Sequence, residues 1–321
     1  MKLKGIHHVS SLTADAQKNL DFYTRILGLR LVKKTVNQDN TQYYHLFYGD
    51  EKGNPGTELT FFEIPNLAVK HPGTNSISSI SLRVDSDEAL NYWRGRFTKL
   101  GVDHDSMTKR FGHAVLPFRD PEGHQMSLIS DENNSGVSSG KPWSRGGVPE
   151  EFGITGLGPV KLTVRYLEPS VQMLTEVMGF RKTGEYETES NNIVHVFETG
   201  EGGNGSEIHI EQRKDIQEER QGKGSVHHVA FRVEDEDELY DWIEYLKKDG
   251  FKSSGFVDRF YFRSLYVNEP NGILFELATD GPGFNLDESS EHLGEQLSLP
   301  PFLEHRRVEI ESRLKSLPSP L

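Results

Sequence analysis

Cysteine is absent from the chain. Disulfides and thiolate chemistry are therefore excluded, and any metal ligands must come from His, Asp or Glu. Basic residues are also scarce relative to acidic ones, at 36 Lys and Arg against 49 Asp and Glu, a formal net charge of −13. That balance disfavours a nucleic-acid binder, which needs a basic face, and disfavours docking on anionic lipid. No run approaches the roughly 20 apolar residues of a membrane span. The opening MKLKGIHHVSSL lacks the apolar centre of a signal peptide. These features lead us to expect a cytoplasmic protein. A length of 321 residues suits two domains or one large one.

Histidine is where the chain is unusual. It has 13, so composition alone gives roughly half a His-His pair. Two pairs occur, in Ile6-His7-His8-Val9 and Val226-His227-His228-Val229. Both lie in short runs rich in β-branched and apolar residues that read as buried strands. Strand alternation predicts that only one ring of each pair faces a given cavity.

The chain repeats itself. Gly5, Val9, Thr24, Gly28 and Arg30 recur 151 residues later as Gly156, Val160, Thr175, Gly179 and Arg181. Arg83, Trp93, Gly101, Arg110, Phe111, Pro121 and Gly123 recur 149 residues later as Arg232, Trp242, Gly250, Arg259, Phe260, Pro270 and Gly272. Each half divides again into strand, helix and three strands, with glycines as helix stops. The predicted organisation is α+β: four βαβββ modules. Modules one and two occupy 1–132, a linker 133–153, modules three and four 154–281, and a tail 282–321. Phe302 to Leu317 of the tail reads as a helix, packed on the modules or solvated.

The repeat also acts as an internal control. Subtracting 149 from His227, His228 and Glu276 gives Ser78, Ser79 and Ser127, and adding 151 to His7 and His8 gives Gly158 and Pro159. Scaffold residues persist while metal-capable ones do not, as expected of a site used once. Glu276 stands in Ile-Leu-Phe-Glu-Leu-Ala. An ionised carboxylate there is costly unless paired, with Arg259 or Arg263 for example, or metal-bound. His8, His228 and Glu276 make two imidazoles and one carboxylate, a set associated with non-haem Fe(II) oxygenases, although Zn and Mn also use it. Since His8 belongs to module one and the other two to module four, these modules are expected to be adjacent in space.

The modules, with GIHHVSS, SVHHVAF, the Arg259…Tyr266…Glu276 spacing and LSLPPFLEHRR, resemble the vicinal oxygen chelate (glyoxalase–dioxygenase) superfamily, and more narrowly its hydroquinone ring-cleaving dioxygenases. The resemblance implies two cupped mixed sheets, with modules one and four sharing one cup and modules two and three the other, and Fe(II), or Mn(II), on His8, His228 and Glu276. It makes His227 and Tyr266 the candidates for the base that takes the phenolic proton and for the donor that stabilises reduced oxygen, with Arg259 supplying positive charge, and it adds His7 and Ser10 to the catalytic surroundings. It further implies O2 insertion into a small aromatic hydroquinone or catechol, in a homo-oligomer such as a dimer. Two other activities of the same fold remain open at this point. One is a glyoxalase-like lyase or isomerase, for which Glu63 is the candidate fourth ligand. The other is a non-catalytic module that binds aromatic compounds.

Overall fold

The structure is a computed structural model, and it describes residues 1–318. Each of the four repeats forms one strand, one helix and three strands. Module one comprises β1 (Ile6–Thr13), α1 (Ala16–Asp21, continued as a wider π-turn over Phe22–Ile26), β2 (Arg30–Val36), β3 (Tyr44–Gly49) and β4 (Glu58–Glu63). Module two comprises β5 (Ser76–Val84), α2 (Asp87–Leu100), β6 (Thr108–Arg110), β7 (His113–Arg119) and β8 (Gln125–Ser130). In module three, β9 (Ile154–Val164) leads into α3 (Leu167–Gln172), followed by β10 (Arg181–Glu187), β11 (Ile193–Glu198) and β12 (Glu207–Gln212). In module four, β13 (Val226–Val233) leads into α4 (Glu236–Lys248), followed by β14 (Val257–Asp258), β15 (Phe262–Asn268) and β16 (Leu274–Pro282).

Local chemistry explains the boundaries. The Asp15 carboxylate accepts from Lys18 N, and the Ser86 hydroxyl from Ala89 N, so each caps a helix start. Gly28 and Gly179 end equivalent helices at φ +69° and +72°, which a Cβ would strain. The repeat even preserves strain at non-glycine positions, since Phe111 and Phe260 sit at φ +46° and +71°. Arg83–Asp131 and Arg232–Asp280 are matching ion pairs, each at 2.7 Å.

Two eight-stranded mixed sheets result, in the orders β14-β15-β16-β13-β1-β4-β3-β2 and β10-β11-β12-β9-β5-β8-β7-β6. Modules one and four thus share one sheet, through the antiparallel β1–β13 ladder, and modules two and three share the other. The segment 133–153 joins strands of the second sheet. It is pinned to module one: Trp143 lies against the Arg30 guanidinium, 4.4 Å from its ring centroid, and Lys141 N reaches the Asp50 carboxylate. No helix among the described residues is long and apolar enough to cross a membrane.

The tail packs on module one. Ser298 N donates to Lys34 O along the open edge of β2, and Leu299, Leu303 and Ile310 cluster with Val36. Its helix is shorter than the sequence suggests. It breaks into α5 (Pro301–Glu304) and α6 (Arg307–Arg313), because Leu303 N bonds Pro300 O and Arg306 N bonds Leu303 O as tight three-residue turns. Leu314 to Leu317 is not helical, and residues 319–321 of the expected tail lie outside the described residues. Lys33 anchors the strap. Its fully buried ammonium bonds Asp287 at 2.7 Å, Glu288, and the Phe284 carbonyl at 3.2 Å. Replacing Lys33 with Met should cost about 3–5 kcal/mol, since it leaves shielded carboxylates without a counter-charge. Urea unfolding checks the loss, and limited proteolysis between residues 283 and 298 should accelerate.

Candidate metal centre

Strand register decides which side chains meet. His8 pairs with Ala230, and Ala230 pairs with Glu276, so His8 and Glu276 flank one position of β13 on the same face. His228 lies two residues before Ala230 and returns to that face. Its Nε2 is 3.2 Å from His8 Nε2 and 2.8 Å from Glu276 Oε2, and His8 Nε2 is 3.2 Å from the same oxygen. All three side chains are buried. Arg259 and Arg263 do not pair with Glu276; they pair with Asp39, and with Glu236 and Asp258.

The two remaining histidines explain themselves through the ladder. From Ile6 to His8 the partner strand advances only from Phe231 to Ala230, and from Ser10 to Ser11 it advances from His228 to Val226. His7 and His227 are therefore the extra residues of two β-bulges, one on each strand. A bulge breaks alternation. It sets His7 beside His8, Nδ1 to Nδ1 at 3.0 Å, and His227 beside His228 at 2.7 Å. The expectation of one ring per cavity fails for the second pair, because His227 and His228 both line the cavity. His7 stands behind His8 and does not line it.

The hydrogen bonds fix tautomers. Thr279 O, 3.1 Å from His7 Nε2, can only accept, so that nitrogen carries a proton. Burial, with His8 alongside, lowers the His7 pKa to about 3, so the ring is neutral and its Nδ1 accepts. His8 must then donate from Nδ1, which leaves the Nε2 lone pair aimed at His228 and Glu276. Burial, with His228 next to it, lowers His227 to about 4, and burial also lowers His228. Burial alone would raise Glu276, but a proton held on the adjoining His8 or His228 ring, in the place a cation would take, keeps it well below the usual carboxylate range. Neither Glu276 oxygen receives a hydrogen bond of proper angle, despite the short separations. Nitrogen and oxygen donors about 3 Å apart, with an unpartnered buried carboxylate among them, suit a divalent cation at ligand distances of roughly 2.0–2.2 Å.

The donors floor a cavity of about 270 Å³. Phe47, Phe62, Phe262 and Leu274 give it apolar walls. Tyr266, directly opposite Glu276 on β15, projects into it, and the Tyr266 hydroxyl accepts from Arg259 Nε at 3.1 Å. Burial, with Glu276 nearby, pushes the Tyr266 phenol up, so it keeps its proton. The Arg259 Nη1 atom also donates to Asp39 at 3.2 Å, and Gln38 donates to the Arg259 carbonyl at 2.9 Å. Ser10 shares a hydrogen bond with Thr60 at 2.7 Å. Glu63 is not among the lining residues; it accepts from Ala16 N at the end of β4. Sequence reasoning missed Thr35, His45, Asn37 and Gln38, which also line the cavity. His45 stands out in composition, but nothing marks its strand as facing a site.

The second cup is filled differently. Lys161, at the place of Ser10 (161 − 151 = 10), pairs with Glu211 at 2.6 Å. His209 is held between Glu207 at 2.8 Å and Tyr186 at 3.2 Å. Arg110 donates to Ser127, the residue at the place of Glu276, at 3.3 Å.

Four βαβββ modules in two curled sheets, with a buried His-His-Glu cluster in one, define a vicinal-oxygen-chelate protein. The sequence profile of the glyoxalase/bleomycin resistance protein/dioxygenase superfamily matches residues 5–128 and 156–277, and the chain belongs to that superfamily. It is 57% identical over 317 residues to "Putative ring-cleaving dioxygenase MhqA" of Bacillus subtilis (strain 168), covering 99% of this chain and 100% of that protein. It is 29% identical over 317 residues to the chlorohydroquinone/hydroquinone 1,2-dioxygenase of Sphingobium indicum, covering 96% and 95%. A crystal structure of a "putative dioxygenase" from Bacillus subtilis superposes with a TM-score of 0.89 at 33% identity over 98% of both chains.

Proposed function

We propose that the chain is an Fe(II)-dependent, extradiol-type dioxygenase that opens the ring of a hydroquinone or catechol with O2. The observation that carries this reading is the convergence of His8 Nε2, His228 Nε2 and Glu276 on one point at the floor of an aromatic-walled cavity. Three protein donors leave positions open for two small ligands. When bound there, the iron supplies a centre that holds the phenol oxygen and O2 together and passes electron density between them. Glu63 does not line the cavity, which supports a three-donor site over the four-ligand site of a glyoxalase-type enzyme.

The chain's own residues position the ring and hold protons. Phe47, Phe62 and Phe262 exclude water and present flat apolar surface to an aromatic ring. His228 can ligate through Nε2 only with its proton on Nδ1, which then donates to His227 Nδ1. That leaves the His227 proton on Nε2, so in this tautomer His227 is a donor to the cavity and not a base. Tyr266 is a second donor, because its oxygen already accepts from Arg259. The Arg259 guanidinium gives the positive field that favours loss of the phenolic proton.

The direct test is an oxygen-electrode assay of Fe(II)-loaded protein with hydroquinone and with catechol, with mass spectrometry of the products. The expected product is heavier than its substrate by both oxygen atoms. Absence of O2 uptake with either ring overturns the reading. His7→Ala provides a finer check, since it frees the His8 ring that the Thr279–His7 relay orients. Metal affinity, read by chelator competition, should fall roughly 10–100-fold, as is typical when an outer partner of a ligating histidine is lost.

A further inference from the structure

The metal donors and their supports occupy the module-four side of the cavity and β1. The facing wall, built by β2, β3 and β4, carries further polar groups that are not among the metal donors. Thr35 and His45 are direct cross-strand partners on β2 and β3, and both line the cavity. Thr35 is 2% exposed, and its Oγ1 is buried with no hydrogen-bond partner. A buried hydroxyl left unpaired in an apolar setting is costly, so it marks a place where a ligand group belongs.

His45 is held rigidly beside it. Its ring lies between Phe47 and Phe62, each 4.0 Å away between centroids. Its Nε2 bonds the Thr60 hydroxyl at 3.0 Å, and that hydroxyl bonds Ser10 at 2.7 Å. Its Nδ1 has no protein hydrogen-bond partner among the described residues. Burial, with His8 and His228 nearby, keeps the imidazole neutral. The wall therefore offers a fixed imidazole edge and a free hydroxyl across an aromatic slot from the His-His-Glu cluster.

A ring bound with one oxygen at that cluster can place a second oxygen in only a few ways. A 1,2-diol puts both at the metal end. A 1,4-diol carries its second hydroxyl to the opposite side of the ring, where apolar walls alone would leave it unpaired. Resting on the ring-cleaving reading above, we infer that Thr35 and His45 form a subsite for the ring hydroxyl remote from the metal donors, and that this subsite selects 1,4-diols over 1,2-diols. The Thr35 Oγ1 and the His45 edge give that hydroxyl a donor and an acceptor at once.

The test is equilibrium binding to Fe(II)-loaded protein under argon, using hydroquinone, catechol and 4-methylphenol, which lacks the remote hydroxyl. Thr35→Val keeps the shape of the side chain and removes the hydroxyl. His45→Phe keeps the stacked ring and removes its nitrogens. Each should weaken hydroquinone about tenfold, the loss of one buried hydrogen bond, and leave catechol, 4-methylphenol and iron content within about twofold. Equal weakening of all three phenols, or unchanged hydroquinone affinity in both variants, overturns the subsite. O2 uptake is scored separately on wild-type protein. Binding that discriminates in the expected way without O2 uptake sinks the dioxygenase reading and upholds the subsite. Uptake with unchanged variant affinities does the reverse.

Discussion

Glu276→Ala should abolish retention of the metal while leaving the fold in place. Two features set the size of the effect. Among the described residues Glu276 is the one carboxylate grouped with both His8 and His228, and it is fully enclosed. The buried Glu58 groups with His7 and His8 but not with His228, and two neutral imidazoles hold a divalent cation far less well than a set containing a carboxylate. The loss should therefore exceed the roughly 10–100-fold expected on removing His7. The fold should survive, because the Glu276 oxygens receive no properly angled hydrogen bond from the protein. Their removal strands no hydrogen-bond donor. Metal analysis after desalting, beside a thermal melt of metal-free protein, checks both halves. Full iron occupancy in the variant would overturn the assignment of the ligands.

Tyr266→Phe should lower turnover by about 10²-fold, the lower end of what a positioned proton-transfer group contributes, with iron content unchanged. The ring would keep its place facing His228, where the centroids are 5.9 Å apart, so packing is conserved. Only the hydroxyl is lost, and with it the group that receives Arg259 Nε and presents a proton to the cavity. Substrate affinity should change less than turnover, because the apolar walls and the metal donors remain. Steady-state kinetics on variant and wild type, normalised to bound iron, decide it. An unchanged rate removes Tyr266 from the chemistry. A fall that tracks lost iron makes it a packing residue.

The repeat made the architecture readable. Offsets of 149 and 151 identify four modules because helix stops, turn residues and the strained Phe111 and Phe260 backbones recur where one unit is reused. The same subtraction isolates His8, His228 and Glu276 as residues without counterparts. What alternation could not show is the pair of bulges at His7 and His227. A bulge is one uncompensated residue in a ladder, set by how two distant strands slide into register, and neither strand carries a local mark of it. Thr35 and His45 were hidden for a different reason. Threonine is ordinary in strands, and the face each strand turns inward depends on cross-strand pairing that the sequence does not state. The tail reads as one helix because its residues favour helix throughout. It breaks in two where short turns at Leu303 and Arg306 replace the helical ladder.

The antiparallel join of β1 to β13 has a kinetic consequence. His8 meets Glu276 only after modules two, three and four have been made. During synthesis modules two and three can close upon each other as neighbours, while module one waits with the free edge of β1 exposed until β13 emerges. Contacts of such sequence separation are slow to form, and an unpaired strand edge is a template for wrong partners. The His-His-Glu pocket is therefore expected to assemble late in folding. Refolding should show a fast phase belonging to the second sheet and a slower one in which the histidines come together. Nascent or refolding chains should be most prone to aggregate in the interval between them.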